Sequence, residues 1–468
     1  MDVVGRLLKR IRALLRSFRL FTSWRWIILG VTVGVLSGLA AVFFFWAVEA
    51  GKFFFLHTLA GMNLPAPAGE EIFHGVALTE RRWVIPIGTT LVGLATGFLV
   101  QRFIPDSIHG GTDGTDSMIK AFHHQEGVIR PKVWIIKGLS AVATIATGGS
   151  AGREGPISQV GAGIGSFIAE KLKLSSRERR LLLLSGAAGG LGAIFRAPLG
   201  GALTAIEVIY REDFEAEAIL PAVLSSVSAY TLFTLFFGTD PIFGIPEFVF
   251  HEPRELIVYA ILALVCSGVG WLYVRSFYLV KYSLFFRIKD KLGLMWATGL
   301  GGLLMGLMGV AYPQVLAGGY GWLEDAIMGE LPLMMMVAIV IGKTIATSTT
   351  IGSGMSGGMF APALFVGGMS GGIVGKVAHD LYPNIVTQPG GYVLVGMAAF
   401  FAGVANAPIG PLIMVCELTQ GYGLLAPLML ASALCIVLGR RFSLYENQVN
   451  DKFDSPAHAE DATINILE

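Results

Sequence analysis

Ala197-Pro198-Leu199-Gly200, followed by Glu207, returns as Ala407-Pro408-Ile409-Gly410, followed by Glu417, and Gly186 and Ala188 return as Gly396 and Ala398, all 210 positions later. A second block repeats 206 positions on, where Pro156, Val160, Gly161 and Gly165 become Pro362, Val366, Gly367 and Gly371. Two blocks in the same order describe a duplicated unit. Both copies lie in glycine-interrupted apolar sequence, the pattern of a transporter whose site sits between two repeats near the bilayer midplane. A small-residue packing motif used twice would leave a similar trace.

The surrounding composition puts that unit in a membrane. Of 468 residues, 54% are hydrophobic and 14% are charged, against roughly 25% charge in a soluble globular domain. Mean hydropathy is +0.66. So few charges cannot clothe a water-soluble body of this size, whereas a lipid-facing surface needs none. The net charge of +1 gives no reason to expect nucleic acid as a partner. The 61 glycines suit close helix packing and broken helices. Cys266, Cys416 and Cys435 lie in apolar runs without metal-ligand spacing and read as small core residues. The expected class is an all-α polytopic membrane protein.

Residues 1–25 carry Arg6, Lys9, Arg10, Arg12, Arg16, Arg19 and Arg25 among Leu and Phe at helical spacing, which reads as a basic amphipathic helix on a membrane face. An apolar segment from Trp26 to Val48 follows where a cleaved signal would need small residues, so none is expected, and the basic excess predicts a cytoplasmic N-terminus. Further spans are expected near 84–100, 133–147, 219–237, 256–280, 292–310, 331–346 and 424–438. Residues 148–170, 181–207, 351–378 and 391–418 read as too short or too glycine-broken to cross alone, and hence as half-helices lining a cavity. This gives a membrane transport domain over 26–447, with repeats of about 26–240 and 250–443, and a polar cytoplasmic tail over 448–468 that contains Pro456.

Gly152-Arg153-Glu154-Gly155-Pro156 is the most informative charged stretch. Pro156 suits a first helical turn, and the glycines let backbone N–H groups face a small ligand. A carboxylate at that depth is costly, about 2.5–3.5 kcal/mol on insertion scales. At a helix N-terminus Glu154 stands where an anion would bind, and protonation would remove its claim on that place. A simple dipole partner at a loop is the alternative. The second repeat offers Gly357-Gly358-Met359-Phe360-Ala361-Pro362, without a carboxylate, so the amides of Met359 and Phe360 would face the same point. Two converging helix N-termini make an anion site that needs no Lys or Arg, and a passing ion can leave it.

These elements resemble the CLC family of chloride channels and proton-coupled chloride exchangers, over roughly residues 30–447. The resemblance rests on Gly152 to Pro156, on Gly354-Met355-Ser356-Gly357-Gly358-Met359-Phe360-Ala361-Pro362, and on Leu444-Tyr445 after the last span. It implies a homodimer with one pore per subunit, inverted repeats of tilted and partial helices, no enzymatic activity and no cofactor. It further implies that Glu154 is the gate and outer proton site, that the amides of Met359 and Phe360 hold the central anion, and that the Tyr445 hydroxyl donates to it. From its position alone, Tyr445 would read as an interfacial anchor. Two positions depart from the family pattern. Gly111-Thr112-Asp113-Gly114-Thr115 replaces the usual serine-bearing turn, so Thr112, or else Thr115, would supply the hydroxyl, and preference among chloride, nitrate and fluoride stays open. Val208 stands where exchangers commonly place an inner glutamate, and Glu207, its neighbour about 100° around the helix, is the candidate for that gating or proton role. Proton-coupled chloride exchange is the expectation, and a passive gated channel is the alternative.

The remaining charged residues receive plainer readings. Lys137 and Lys343 pair with carboxylates or snorkel. Asp106, His109, Asp113 and Asp116 lack metal-ligand spacing, and Asp113 or Asp116 caps the following helix. His123, His124 and Glu126 read as a solvated loop. Gly354-Met355-Ser356-Gly357 fits the short serine motif of membrane proteases, with His379 as the nearby base, which makes an intramembrane hydrolase the rival from another class.

Overall fold

The computed structural model describes residues 22–73, 75, 80–109 and 113–458. The expected N-terminal amphipathic helix therefore lies, as far as residue 21, outside the described residues, as do Thr112 and residues 459–468. The first half contains α1 (Thr22–Lys52), α2 (Val84–Phe103), α3 (Gly114–His124), α4 (Pro131–Ala146), α5 (Glu154–Leu172), α6 (Ser176–Ile194), α7 (Pro198–Glu207) and α8 (Ile219–Phe237). The second contains α9 (Glu255–Leu279), α10 (Phe286–Leu292), α11 (Leu294–Ala311), α12 (Tyr320–Ile327), α13 (Leu333–Gly352), α14 (Phe360–Leu381), α15 (Pro389–Ala405), α16 (Ile409–Thr419) and α17 (Leu425–Gly439). Seven helical stretches among the described residues are long and apolar enough to cross a membrane.

Two expected spans are shorter than a bilayer. The α4 helix has 16 residues and α17 has 15, or about 24 and 22 Å at the helical rise, against a hydrocarbon core of about 30 Å. Conversely, the glycines of α5 and α14 do not break them: these helices run unbroken for 19 and 22 residues. Their glycines bring backbones together instead. A Cβ on Gly161 would lie 2.0 Å from the Gly186 carbonyl oxygen, and one on Gly186 would lie 1.9 Å from the Gly161 carbonyl oxygen. In the second half Gly367 and Gly396 oppose each other in the same way, at 2.5 and 2.4 Å. The α5–α6 and α14–α15 pairs are thus two copies of one packing unit.

The true breaks fall after α6 and α15. Arg196 and Asn406, again 210 apart, both take left-handed backbone conformations, with φ of 52° and 54°. Asn tolerates that region. Arg196 is tied there by guanidinium bonds to the carbonyls of Asp240 (2.7 Å) and Gly69 (2.8 Å). The short helices α7 and α16 then cap each other across the repeat boundary. The Glu207 carboxylate accepts from the N–H groups of Ile409 (3.1 Å) and Gly410 (2.8 Å), and Glu417 accepts from Leu199 (3.2 Å) and Gly200 (2.7 Å). Each carboxylate satisfies orphan donors at the positive end of its partner helix.

The polar stretch after α17 packs back onto the body as far as His458. The Gln448 side-chain amide reaches the carbonyls of Val208 (3.0 Å), Tyr210 (2.8 Å) and Ala405 (2.8 Å), joining the break regions of both halves. His123 is buried, with its ring bonded to the Ser455 hydroxyl (2.7 Å) and the Ile209 carbonyl (2.9 Å). His124 and Glu126 are exposed as expected, Glu126 in the turn after α3, whereas His123 sits in the last turn of α3 and is covered by this returning stretch.

Gly161→Ala should lower the thermal midpoint of the detergent-purified protein, because its methyl meets backbone that cannot give way; overpacking of this kind costs about 1–3 kcal/mol. Gly268, in α9, has nothing within 4 Å of a built Cβ. Gly268→Ala should therefore leave the midpoint unchanged or raise it slightly through helix propensity.

Candidate functional site

The loop before α5 is pinned from the second half. The Ser150 N–H donates to the Thr350 hydroxyl (3.2 Å), and the Ser150 and Thr347 hydroxyls bond to each other at 2.9 Å. Gly152 and Gly358 then exchange both backbone hydrogen bonds, at 2.7 and 2.8 Å. From this antiparallel bridge α5 and α14 depart in opposite directions, with Pro156 and Pro362 each in the first turn. Gly155 packs against Gly358, and a Cβ there would lie 2.9 Å from the Gly358 Cα. The two helix N-termini therefore meet inside the protein. Their first N–H groups have no intrahelical partner and carry the positive ends of both dipoles. Both Met359 and Phe360 are buried here, and the Phe360 ring packs on Phe401 and Phe195 at centroid distances of 3.9 and 5.0 Å.

A third N-terminus joins them, and it brings a residue that the sequence had assigned only to a cap. Asp113 caps α3, accepting the Asp116 N–H on Oδ1 at 3.0 Å, while its Oδ2 accepts the Met359 N–H at 2.8 Å. The expected hydroxyl of Thr112 lies outside the described residues, and at the Met359 amide the acceptor is the Asp113 carboxylate. A cap side chain lies at the mouth of its own helix, and this mouth opens on the α5–α14 junction; only the tertiary arrangement reveals that. Asp116 is used elsewhere, accepting from the Asn447 N–H (2.9 Å) and side-chain amide (3.1 Å).

Tyr445 is fully buried rather than an interfacial anchor. Leu444 N–H bonds the Val404 carbonyl (2.8 Å), Tyr445 N–H bonds the Ser443 hydroxyl (3.1 Å), and that hydroxyl is fixed by Gln448 (2.7 Å). The hydroxyls of Tyr445 and Tyr273 are buried beside Thr115 and Thr347 respectively, and both lie within electrostatic reach of Asp113.

Glu154 is the first residue of α5 and is wholly shielded from solvent. Its Oε1 accepts the Tyr320 hydroxyl at 2.7 Å, and its Oε2 has no partner. Arg153 Nε lies 3.7 Å from the Glu154 Oε1, but its terminal nitrogens point elsewhere. Its guanidinium makes a bidentate pair with Glu70, through Nη1 to Oε2 at 2.9 Å and Nη2 to Oε1, and it lies over the Phe45 and Tyr320 rings. Its full charge is thereby neutralised beside the junction.

Two cavities flank this junction. One, of about 400 Å³, is lined by Glu49, Lys52, Glu70, Arg153, Leu316 and Tyr320. The other, of about 80 Å³, is lined by Asp113, Lys137, Gln159, Lys281, Lys289 and Ser356. They lie at opposite ends of the spanning helices: α11 starts at Leu294 on the smaller vestibule and leads through 313–315 to Leu316 on the larger, and α13 ends at the smaller. Glu154 is tied toward the larger through Tyr320, and Asp113 opens on the smaller.

The structure brings Glu154, Met359, Phe360 and Tyr445 together with Asp113, and leaves Glu207 at the α7–α16 cap. Val208 is buried in the apolar core. Among the described residues Lys343 pairs with no carboxylate; its ammonium donates to the carbonyls of Val315 (3.1 Å) and Ala317 (2.5 Å), holding the segment before α12. Ser356 precedes α14, whereas His379 lies near its far end, roughly 28 Å on by helical rise, and bonds the Val386 carbonyl. That separation removes the serine–histidine pair. No group of three or more potential metal ligands occurs among the described residues.

Duplicated halves with three helix N-termini meeting between opposed vestibules define a membrane transport protein. The family described as voltage gated chloride channel matches residues 92–440, and the chain belongs to it. An uncharacterized protein of Methanocaldococcus jannaschii is 31% identical over 338 residues, covering 72% of this chain and 80% of its own. The H(+)/Cl(-) exchange transporter ClcA of Vibrio vulnificus is 29% identical, covering 87% and 85%. Among solved structures, a slow cyanobacterial Cl-/H+ antiporter superposes with a TM-score of 0.78 at 22% identity, covering 89% and 94%. A CLC-type fluoride/proton antiporter gives 0.74 at 20% identity, covering 91% and 98%.

Glu70→Gln should destabilise the fold by about 3–5 kcal/mol, because it leaves the buried Arg153 charge without its bidentate partner. A large fall in thermal midpoint is expected, with Glu80→Gln, on an exposed loop, as the neutral control.

Proposed function

We propose that this protein moves chloride across a membrane in exchange for protons, with Glu154 as the gating carboxylate. The observation that carries the reading is the placement of Glu154: fully buried at the helix junction, with one oxygen held by Tyr320 and the other unpaired. A carboxylate there competes with an anion for the same partial positive charges. On protonation it loses that competition, so ion entry and proton uptake become linked. The similarity to ClcA of Vibrio vulnificus supports exchange. Chloride is preferred over fluoride because Tyr445 places a buried hydroxyl beside the seat.

A passive channel is the second reading, favoured by Val208, an aliphatic residue in the core where an inner acid would help protons pass. The homodimer belongs to the same proposal; α7 and α16, too short to span, expose Leu199 and Ile409 on a face that a second copy would cover. The smaller vestibule is assigned to the cytoplasm. Arg25, Arg177, Arg211 and Arg440 gather on its side around the ends of the described chain, in keeping with the positive-inside rule.

Reversal potentials of reconstituted protein under crossed chloride and proton gradients separate the readings: an exchanger's potential moves with the proton gradient, and a channel's does not. Glu154→Gln should abolish proton movement and make chloride flux independent of pH; unchanged pH dependence would remove Glu154 from the gate. Tyr445→Ala should weaken chloride binding by about tenfold or more in calorimetry, the value of one hydrogen bond to a charged ligand.

A further inference from the structure

We propose that Asp113 is a tethered competitor for the transported anion, a second carboxylate gate in series with Glu154 and open to the opposite vestibule. The inference rests on the anion-transport reading and adds a residue to it. Asp113 Oδ2 is not simply near the junction; it holds the Met359 N–H at 2.8 Å, one of the amides from which an anion seat would be made. A Cβ on Gly155 would lie 3.1 Å from the same oxygen, so that oxygen is wedged between the starts of α5 and α14. Three helix N-termini thus converge on one carboxylate, the chemistry they would offer a free anion. The buried hydroxyls of Tyr445 and Tyr273 lie within electrostatic reach of this group, beside the Thr115 and Thr347 hydroxyls respectively. Hydroxyl groups thus border a seat that the carboxylate itself fills.

An anion and the carboxylate cannot share that seat. Two negative charges in contact within a low-dielectric interior repel strongly. The anion enters when Asp113 swings toward the smaller vestibule or takes a proton from it. The charged and titratable groups facing Asp113 are Lys137 from α4, Asp116 on its own helix, Tyr273 from α9 and Tyr445, with Lys281 and Lys289 across the vestibule. Lys137 offers the displaced carboxylate a cation to turn toward. Glu154 is bonded through Tyr320 on the other side. The junction is therefore closed by one acid from each face, and Asp113 supplies an acid on the side where Val208 supplies none.

The test is chloride binding by calorimetry on full-length purified protein, with flux from reconstituted vesicles alongside. The variants are Asp113→Ser and Asp113→Asn, both able to cap α3. A seat filled by its own carboxylate nine-tenths of the time loses about tenfold in apparent affinity. Asp113→Ser should therefore bind chloride at least about tenfold more tightly than the parent, with Asp113→Asn neutral but still filling the seat, and so in between. Equal or weaker binding in Asp113→Ser, with parental flux intact, would overturn the proposal and leave the transport reading standing. Absence of chloride binding and flux in the parent and both variants would overturn both. If Asp113→Ser does not fold, Asp113→Asn decides alone: tighter binding than the parent supports the competitor, and no change overturns it.

Discussion

The structure turns on the Gly152–Gly358 backbone bridge. Two helices that start at one point and run apart present their positive ends to each other, an arrangement that is unfavourable by itself. It persists because the neighbouring groups supply negative charge: Glu154 at one start, Asp113 at the other, and a transported anion in the proposed cycle. The rest of the fold serves this junction. Ser150, Thr347 and Thr350 hold the loop that enters it, and the paired glycines of α5–α6 and α14–α15 keep both helices in place behind it. Gln448 draws the two break regions together and, through Ser443, orients Tyr445.

Much of this architecture was legible from spacing. The offsets of 210 and 206 matched residues that turn out to make the same contacts: Gly161 with Gly186 and Gly367 with Gly396, Glu207 on α16 and Glu417 on α7. A strict repeat of residue type at fixed separation is evidence of equivalent packing, because a backbone approach that excludes Cβ atoms admits only glycine. The glycine count was harder to read. Glycine weakens an isolated helix, so it suggested breaks within all of 148–170, 181–207, 351–378 and 391–418; tertiary contact keeps α5 and α14 unbroken in the first and third, and the breaks at Arg196 and Asn406 fall inside the second and fourth.

The site was legible where backbone supplies the chemistry and illegible where a side chain has two uses. Proline in the first turn and glycines before it located the starts of α5 and α14, and these starts define the junction. Asp113 was equally visible as a helix cap, and it is one. That its second oxygen reaches Met359, 246 positions away, depends on how α3 is seated against the junction, which no local spacing records. Glu207 shows the opposite case, a candidate whose visible partners are structural. A buried carboxylate beside the expected proton position looked functional, but its lone pairs are spent on Ile409 and Gly410, so its burial has a structural explanation.

Charge distribution follows one rule through the molecule. Full positive charges near the centre are neutralised or turned aside: Arg153 by Glu70, Lys343 by two carbonyls. An unpaired cation at the junction would hold an anion too tightly for it to leave, since Coulomb attraction at a few ångströms in a poorly polarisable interior greatly exceeds thermal energy. Helix ends offer about half a charge each, spread over several N–H groups, and can be matched or released by moving one carboxylate. The lysines stand at the vestibule instead, where water weakens their pull and where Glu446 already engages Lys281 at 2.7 Å. Attraction at the rim with only partial charges at the centre is the arrangement that lets an ion enter and still depart.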